Sequence, residues 1–396
     1  MDRKKVLFIL SRFPFPLIKG DKLRAYYQIR ELSKTCDVYL FALSDQRVSP
    51  ADREALEPYC AGIKIFRLRW IEVLSSLIFH FLFSFKPVQV GYFYNSRTRK
   101  KMLKELRSLK VDHVFCQLIR TSEYGKYIDN IPKTLDYMDA LSAGMQRRYE
   151  STSVFFRWII GIEAKRLKRY EHHIYKSFSC ATVISPSDRD LIFHYANEDI
   201  IVLPNGIDHE FFKPKQVEKE FELLFTGNMS YPPNVQSARF LVEYIMPLIW
   251  RELPKCKLLI SGANPSKAVK KLAGEGVVVR PYIKDIRDSY NSSQVFIAPM
   301  FIGSGMQNKL LEAMAMNLPC ITSELANRAL NARENEELLI GKSYADYADK
   351  AVELLKNRKL ANEIAQKGHS FVRNQFDWST SNEILLNIIN GKIPRS

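Results

Sequence analysis

Short apolar runs, each followed by a longer stretch of helical periodicity, recur along almost the whole chain, and the series begins twice. Residues 6–10, 37–43, 63–68, 113–116, 134–135 and 181–184 read as strands, with a helix over 23–34. After a polar stretch at 213–220 the rhythm restarts: strands over 223–227, 257–261, 277–280, 295–299 and 320–323, and helices over 235–253, 306–316, 343–357 and 359–371. Strands that are apolar throughout, rather than alternating, are buried on both faces. That is the condition of a parallel sheet covered by helices on both sides.

Two such series, each of domain size, predict an α/β chain of two Rossmann-like domains. The break falls near Leu203-Pro204-Asn205-Gly206-Ile207-Asp208. The expected division is 1–205, 206–375 and a last segment, 376–396, ending in a helix. A content of 46% hydrophobic and 26% charged residues suits a globular protein. The positive charge is uneven: residues 1–205 hold 34 Lys and Arg against 22 Asp and Glu, and the rest hold 25 against 21. The first half therefore expects an acidic partner.

Six cysteines are scattered without a CxxC pair, which argues against a structural zinc site and a disulfide framework and suits a reducing cytoplasm. The apolar run at 6–10 is too short for a signal segment. Two stretches stand outside the βα rhythm. Residues 70–85 are nearly all apolar or aromatic, and 154–162 carry Phe155, Phe156 and Trp158; basic residues adjoin both. The first is shorter than the ~20 residues that span a bilayer. Apolar and aromatic residues beside Lys and Arg suit helices lying in an anionic membrane surface, through 70–110 and 154–169; buried helices with solvated basic faces are the alternative.

The segment with most chemical content is Ala298-Pro299-Met300-Phe301-Ile302-Gly303-Ser304-Gly305-Met306-Gln307-Asn308-Lys309-Leu310-Leu311-Glu312. A buried strand ends, a glycine turn comes next, and a helix begins. In an open α/β sheet, ligands bind beyond the carboxyl ends of the strands. Gly303 and Gly305 let backbone approach a ligand closely. The helix start, with the amides of Gln307, Asn308 and Lys309, offers free N–H groups and the positive end of a dipole to a phosphate. Lys309 in the first turn is unfavourable for an isolated helix and sensible beside a diphosphate. Glu312, one turn on, can accept hydrogen bonds from ribose hydroxyls.

This segment resembles the signature of the family 4 retaining glycosyltransferases, whose GT-B fold faces two Rossmann-like domains across a cleft. Glu312-Ala313-Met314-Ala315 matches the second half of that signature. Ser304 holds the place of its first Glu, as in the branch written Gly-x-Gly-x-x-Asn-Lys-x-Leu-Glu-Ala-Met-Ala among polysaccharide-biosynthesis sugar transferases. Pro204-Asn205-Gly206-Ile207-Asp208 is similar to the family's interdomain turn, and Phe376-Asp377-Trp378 to the element before a last helix that returns to the N-terminal domain. The resemblance implies a donor site of Gly227 and Asn228 after the opening strand of the second domain, Tyr282 and Ile283 at the nucleobase, Gly303, Ser304, Gly305, Gln307, Asn308, Lys309 and Glu312, and Gly20 and Asp21 in the first domain's glycine loop.

The resemblance further implies a hexosyltransferase-type enzyme. It would move a sugar from a UDP- or GDP-linked donor to a glycan or lipid-linked acceptor, with retention and without a metal or other cofactor; the cysteine usage and the basic, apolar stretches place such an enzyme in the cytoplasm, peripheral on the inner face of the plasma membrane. Asp136 and Asp139 stand where the family places a catalytic loop and are candidates, with Lys309, for catalysis; the alternative is that Asp139 or Ser142 caps a following helix. Two other functions share the fold: a nucleotide-sugar epimerase and a non-catalytic membrane-associated scaffold. No reader motif supports nucleic-acid binding.

Overall fold

Each run read as a strand in the sequence becomes a parallel strand. The computed structural model describes residues 3–192, 197–281, 284–301 and 306–392. The chain separates into two units: residues 1–204 with 381–396, and residues 205–380.

Among the described residues, the first unit holds strands β1 (Lys5–Leu10), β2 (Asp37–Ser44), β3 (Gly62–Arg67), β4 (His113–Gln117), β5 (Lys133–Met138), β6 (Cys180–Val183) and β7 (Ile201–Val202). They lie side by side in the order β3-β2-β1-β4-β5-β6-β7, all parallel. Successive side chains point to opposite faces. Val6, Phe8 and Leu10 therefore pack with Leu385 and Ile389 of the last helix, whereas Leu7 and Ile9 join Val114 and Leu135 on the other face. Lys4 Nζ also donates to the carbonyl of Ile389 at 3.0 Å.

The second unit holds β8 (Phe221–Thr226), β9 (Leu258–Ser261), β10 (Val277–Arg280), β11 (Ser293–Ala298), β12 (Cys320–Thr322) and β13 (Leu339–Ile340), parallel and in the order β10-β9-β8-β11-β12-β13. In each sheet the chain builds outward from its first strand and then crosses to that strand's other side. The reversals fall between β1 and β4 and between β8 and β11, where an open sheet leaves room for a ligand.

The helix expected over 235–253 is interrupted. Pro232–Phe240 and Met246–Glu252 are α-helical, with a π-helical turn at Leu241–Ile245 between them. Pro247 has no N–H for Glu243, and its ring crowds that carbonyl, so the wider turn spares a clash.

The two aromatic stretches form the helices Trp70–Phe83 and Val154–Ile174. Their outer faces are not core: Trp70 is 73% exposed and Phe155 81%, with Ile71, Leu74, Ile78, Phe79, Phe156 and Trp158 also exposed. The buried-helix alternative therefore fails for these side chains. Among the described residues no helix is long and apolar enough to cross a membrane.

Candidate functional site

In the second unit the reversal between β8 and β11 is built by two glycines that admit no side chain. Gly227 follows β8 at φ +150°, and Gly262 follows β9 at φ +149°. A Cβ on Gly262 would lie 1.8 Å from the Gly227 carbonyl oxygen, and one on Gly227 would lie 2.7 Å from Asn234 Nδ2. The turn after Gly227 is held by Asn228, whose Oδ1 accepts from the Ser230 amide (3.1 Å) and hydroxyl (2.8 Å). The Asn228 carbonyl accepts from Asn234 Nδ2 at 3.0 Å.

Lys309 enters this site from the helix Asn308–Ala315. Its ammonium donates to Asn234 Oδ1 at 2.5 Å, lies 3.4 Å from Met300 Sδ and sits 5.2 Å from the centre of the Phe225 ring. The residue is only 9% exposed. Among the described residues no carboxylate pairs with it directly. Burial pushes its pKa down to about 7, opposed by the charge of Glu312. Glu312 Oε2 accepts from the Tyr290 hydroxyl at 2.7 Å, and that hydroxyl also meets Thr226 Oγ1 at 2.9 Å. Burial pushes Glu312 up to about 7, against the Tyr290 hydrogen bond and the Lys309 charge. The end of β8 and the helix after β11 thus share one polar network, with a cation of reduced proton affinity at its centre.

Among the described residues no side chain caps the helix Asn308–Ala315 at its start, where Gln307 is the N-cap, and none of them uses up its first amides as a cap. Asn308 Oδ1 accepts from Asn205 Nδ2 at 3.2 Å, which joins the Pro-Asn-Gly turn to this helix. The same turn packs on the Phe376-Asp377-Trp378 element. The Ile207 amide donates to the Phe376 carbonyl at 2.9 Å, and a Cβ on Gly206 would fall 2.4 Å from the Trp378 nitrogen. Of the expected donor residues, Gly227, Asn228, Gln307, Asn308, Lys309 and Glu312 meet here. Tyr282, Ile283, Gly303, Ser304 and Gly305 lie outside the described residues. Sequence reasoning missed Asn234, Tyr290 and Thr226, which take up Lys309 and Glu312; no spacing marks them as partners.

The other candidates belong to the first unit. Asp21 Oδ2 pairs with Arg12 at 2.7 Å, and its carbonyl accepts from Gln117 Nε2 at 3.0 Å. Gly20 opens the helix Gly20–Leu32 with free space where a Cβ would stand. Asp136 is fully buried. Its oxygens accept from Arg24 Nε (2.7 Å), Arg24 Nη2 (3.1 Å) and Thr182 Oγ1 (2.9 Å). The geometry therefore replaces its expected contact with sugar or acceptor by an internal tie between Gly20–Leu32, β5 and β6.

Asp139 differs. Met138 before it has φ 62°, unusual for a residue with a side chain, at a register shift in β5. Burial and the neighbouring Asp188 carboxylate raise the Asp139 pKa to about 7, against Arg24 and Arg120. Neither Asp139 nor Ser142 caps the helix Leu141–Ser151. Its start is met by Glu171, whose Oε1 accepts from the Ser142 amide at 3.0 Å. Among the described residues no group of three or more His, Cys, Asp or Glu could hold a metal ion.

Residues 220–357, within the second unit, match a family model described as "Glycosyl transferases group 1". Over 395 residues the chain is 24% identical to an "Uncharacterized 44.6 kDa protein in cps region" of Klebsiella pneumoniae, covering 94% of this chain and 96% of that one. Solved structures share the whole architecture. Sucrose-phosphate synthase from Thermosynechococcus elongatus aligns with a TM-score of 0.73 at 13% identity, covering 98% of this chain and 99% of that one. Anabaena HepE, solved in complex with UDP and glucose, gives 0.69 at 14% identity, covering 98% and 100%. The fold is that of the GT-B glycosyltransferases.

Proposed function

We propose that the chain is a glycosyltransferase of polysaccharide or glycolipid assembly. It moves a hexosyl group, with retention, from a nucleotide-sugar bound by the second unit to a glycan or lipid-linked acceptor. The observation that carries this reading is the buried Lys309 beside Glu312 at the β8/β11 reversal, within the segment that matches the group 1 model. A lysine kept from water at a helix start that no described side chain caps is poised to take a diphosphate. Glu312, turned toward hydroxyl partners, suits a ribose. The cps-region relative and the UDP complex of HepE lend support to the cellular role and to UDP as the first donor to try.

In this reading the bond between the anomeric carbon and the donor phosphate oxygen breaks. A bond from the acceptor hydroxyl oxygen forms on the same face, and the acceptor proton passes to the departing phosphate. Lys309 and the helix amides stabilise the charge that builds on that phosphate, as oriented donors do where charge develops. They supply this positive potential without a divalent ion, so turnover should persist in EDTA. The exposed aromatic faces of Trp70–Phe83 and Val154–Ile174, with the basic residues around them, dock the first unit on an anionic membrane surface. A thermal-shift panel of UDP- and GDP-sugars identifies the donor. Transfer and donor hydrolysis are then measured in Lys309→Ala and Glu312→Ala. Loss of at least 100-fold in folded protein supports the reading; full activity in both removes it.

A further inference from the structure

The first unit contains a cavity of about 480 Å³ at the carboxyl ends of β1, β2 and β4, and none of the residues assigned to the donor line it. Arg12 stands after β1, Asp45 after β2 and Arg120 after β4, so the cavity lies at the first sheet's own reversal. Its roof comes from Trp70–Phe83, Val88–Phe93, Leu141–Ser151 and Val154–Ile174, which contribute an apolar wall that includes Leu77, Met145, Ile159 and Ile162.

The polar lining is one-sided: four guanidinium groups, Arg12, Arg120, Arg148 and Arg166, face two carboxylates, Asp45 and Glu163. Both carboxylates are occupied. Asp45 accepts from the Tyr92 hydroxyl at 2.9 Å. Glu163 accepts from the Val88 amide at 2.9 Å and the Gln89 amide at 3.3 Å, at the start of Val88–Phe93. Arg12 pairs with Asp21, but Arg120 has no carboxylate at ion-pairing distance among the described residues. Its Nε donates to the neutral Gln89 Oε1 at 3.2 Å. Arg12 and Arg120 lie 5.6 Å and 5.5 Å from the centre of the same Phe93 ring. The Arg12–Asp21 pair and an Arg120 guanidinium with no carboxylate at ion-pairing distance thus share a half-buried space, which leaves positive charge there for an anionic ligand. Burial, then the Arg12 charge, lower the pKa of Arg120, opposed by the carboxylates of Asp21 and Asp139.

The apolar wall reaches the surface. Ile162 lines the cavity yet is 39% exposed, on the helix that carries exposed Phe155, Phe156 and Trp158; Leu77 shares its helix with exposed Trp70, Ile78 and Phe79. An anion of these dimensions with an apolar extension would put its charged end among the arginines and its chain along this wall, toward the face that resembles a membrane-surface helix.

We propose that this cavity binds the acceptor, and that the acceptor is a phosphorylated lipid: a phosphate or diphosphate ester held by Arg120 and Arg12, with its hydrocarbon chain on the Leu77–Ile159–Ile162 wall. This rests on the glycosyltransferase reading for the word acceptor but not for the binding site. The test is equilibrium binding to the full chain without donor, using soluble probes: farnesyl diphosphate, farnesol, inorganic diphosphate and dihexanoyl phosphatidic acid. One of the two phosphorylated lipids should bind at least ten-fold more tightly than either farnesol or inorganic diphosphate, and which one it is separates a prenyl from a glycerolipid chain. Arg120→Gln should weaken that binding at least ten-fold at an unchanged melting temperature, and Arg120→Lys should recover part of it. Ile162→Asp, at a partly exposed position, should weaken the lipid and leave inorganic diphosphate unaffected. Equal binding of farnesol, equal binding of inorganic diphosphate, or full affinity in folded Arg120→Gln overturns the proposal. Nucleotide-sugar hydrolysis in the same preparations tests the transferase reading separately, so either can fail while the other stands.

Discussion

Binding of the donor nucleotide should draw a proton onto Lys309. In the free protein burial holds this lysine at about 7. An opposite charge within ~4–6 Å moves a pKa by about 1–3 units toward the charged form. With a rise of about two units, the value in the complex is about 9. At pH 8 the ammonium form then goes from about one molecule in ten to about nine in ten, an uptake of about 0.8 proton per nucleotide. A terminal phosphate with a pKa near ~6 is already ionised there and does not obscure the count. Because the pKa rises on binding, affinity must be stronger at low pH. The logarithm of Kd should climb by about 0.8 per pH unit around pH 8 and flatten below pH ~6 and above pH ~10. Calorimetry of UDP (or of GDP, if the panel selects it) in two buffers of different ionisation enthalpy reads the proton number directly. Lys309→Met, of similar length without the charge, should bind at least ten-fold more weakly with an uptake below ~0.2. No uptake by the unaltered protein at pH 8, or the same uptake in Lys309→Met, refutes the placement of a diphosphate beside this lysine.

Asp139 gives a stability test. Its folded pKa is raised from 3.8 to about 7, so the stability tied to its proton is fully present below pH ~4 and lost as pH rises through ~7. Asp139→Asn should therefore raise the melting temperature at pH 8 by about 2–5 °C and give no gain at pH 4, as read by calorimetric melting. Gly262→Ala should destabilise the second unit severely, because its Cβ meets the Gly227 carbonyl, whereas Gly274→Ala, with open space around it, should melt within a degree or two of the parent. Trp70→Ser combined with Phe155→Ser and Trp158→Ser should abolish co-sedimentation with anionic vesicles at an unchanged melting temperature; unaltered sedimentation would remove these faces from the membrane contact.

The strands were legible because burial on both faces leaves a continuous apolar run, and β1, β2, β4, β8 and β11 all announce themselves that way. The strands that were not, β7 and β13, have two residues each, too few for any period. The π-turn at Leu241–Ile245 was hidden because hydrophobic spacing continues through it, although Pro247 carried a warning. At the site, Lys309 and Glu312 stood out because a basic residue and an acid come after a glycine turn within one helix. Their partners Asn234 and Tyr290 arrive from elsewhere in the chain, and nothing local distinguishes an asparagine after two prolines as the acceptor for a buried ammonium. Asp136 read as an available acid because it falls where the resembled family places a catalytic loop; only the fold brings Arg24 from 112 positions away to engage it. Arg120 attracted no notice in sequence, since its significance lies in an ion-pair partner it does not have among the described residues.

A structure of the chain with its donor nucleotide bound tests the central claim most directly. The account predicts a diphosphate oxygen within about 3 Å of Lys309 Nζ, with that ammonium drawn from Asn234, and the ribose hydroxyls at Glu312. A diphosphate seated elsewhere, with Lys309 still on Asn234 and Glu312 still holding only Tyr290, would contradict it.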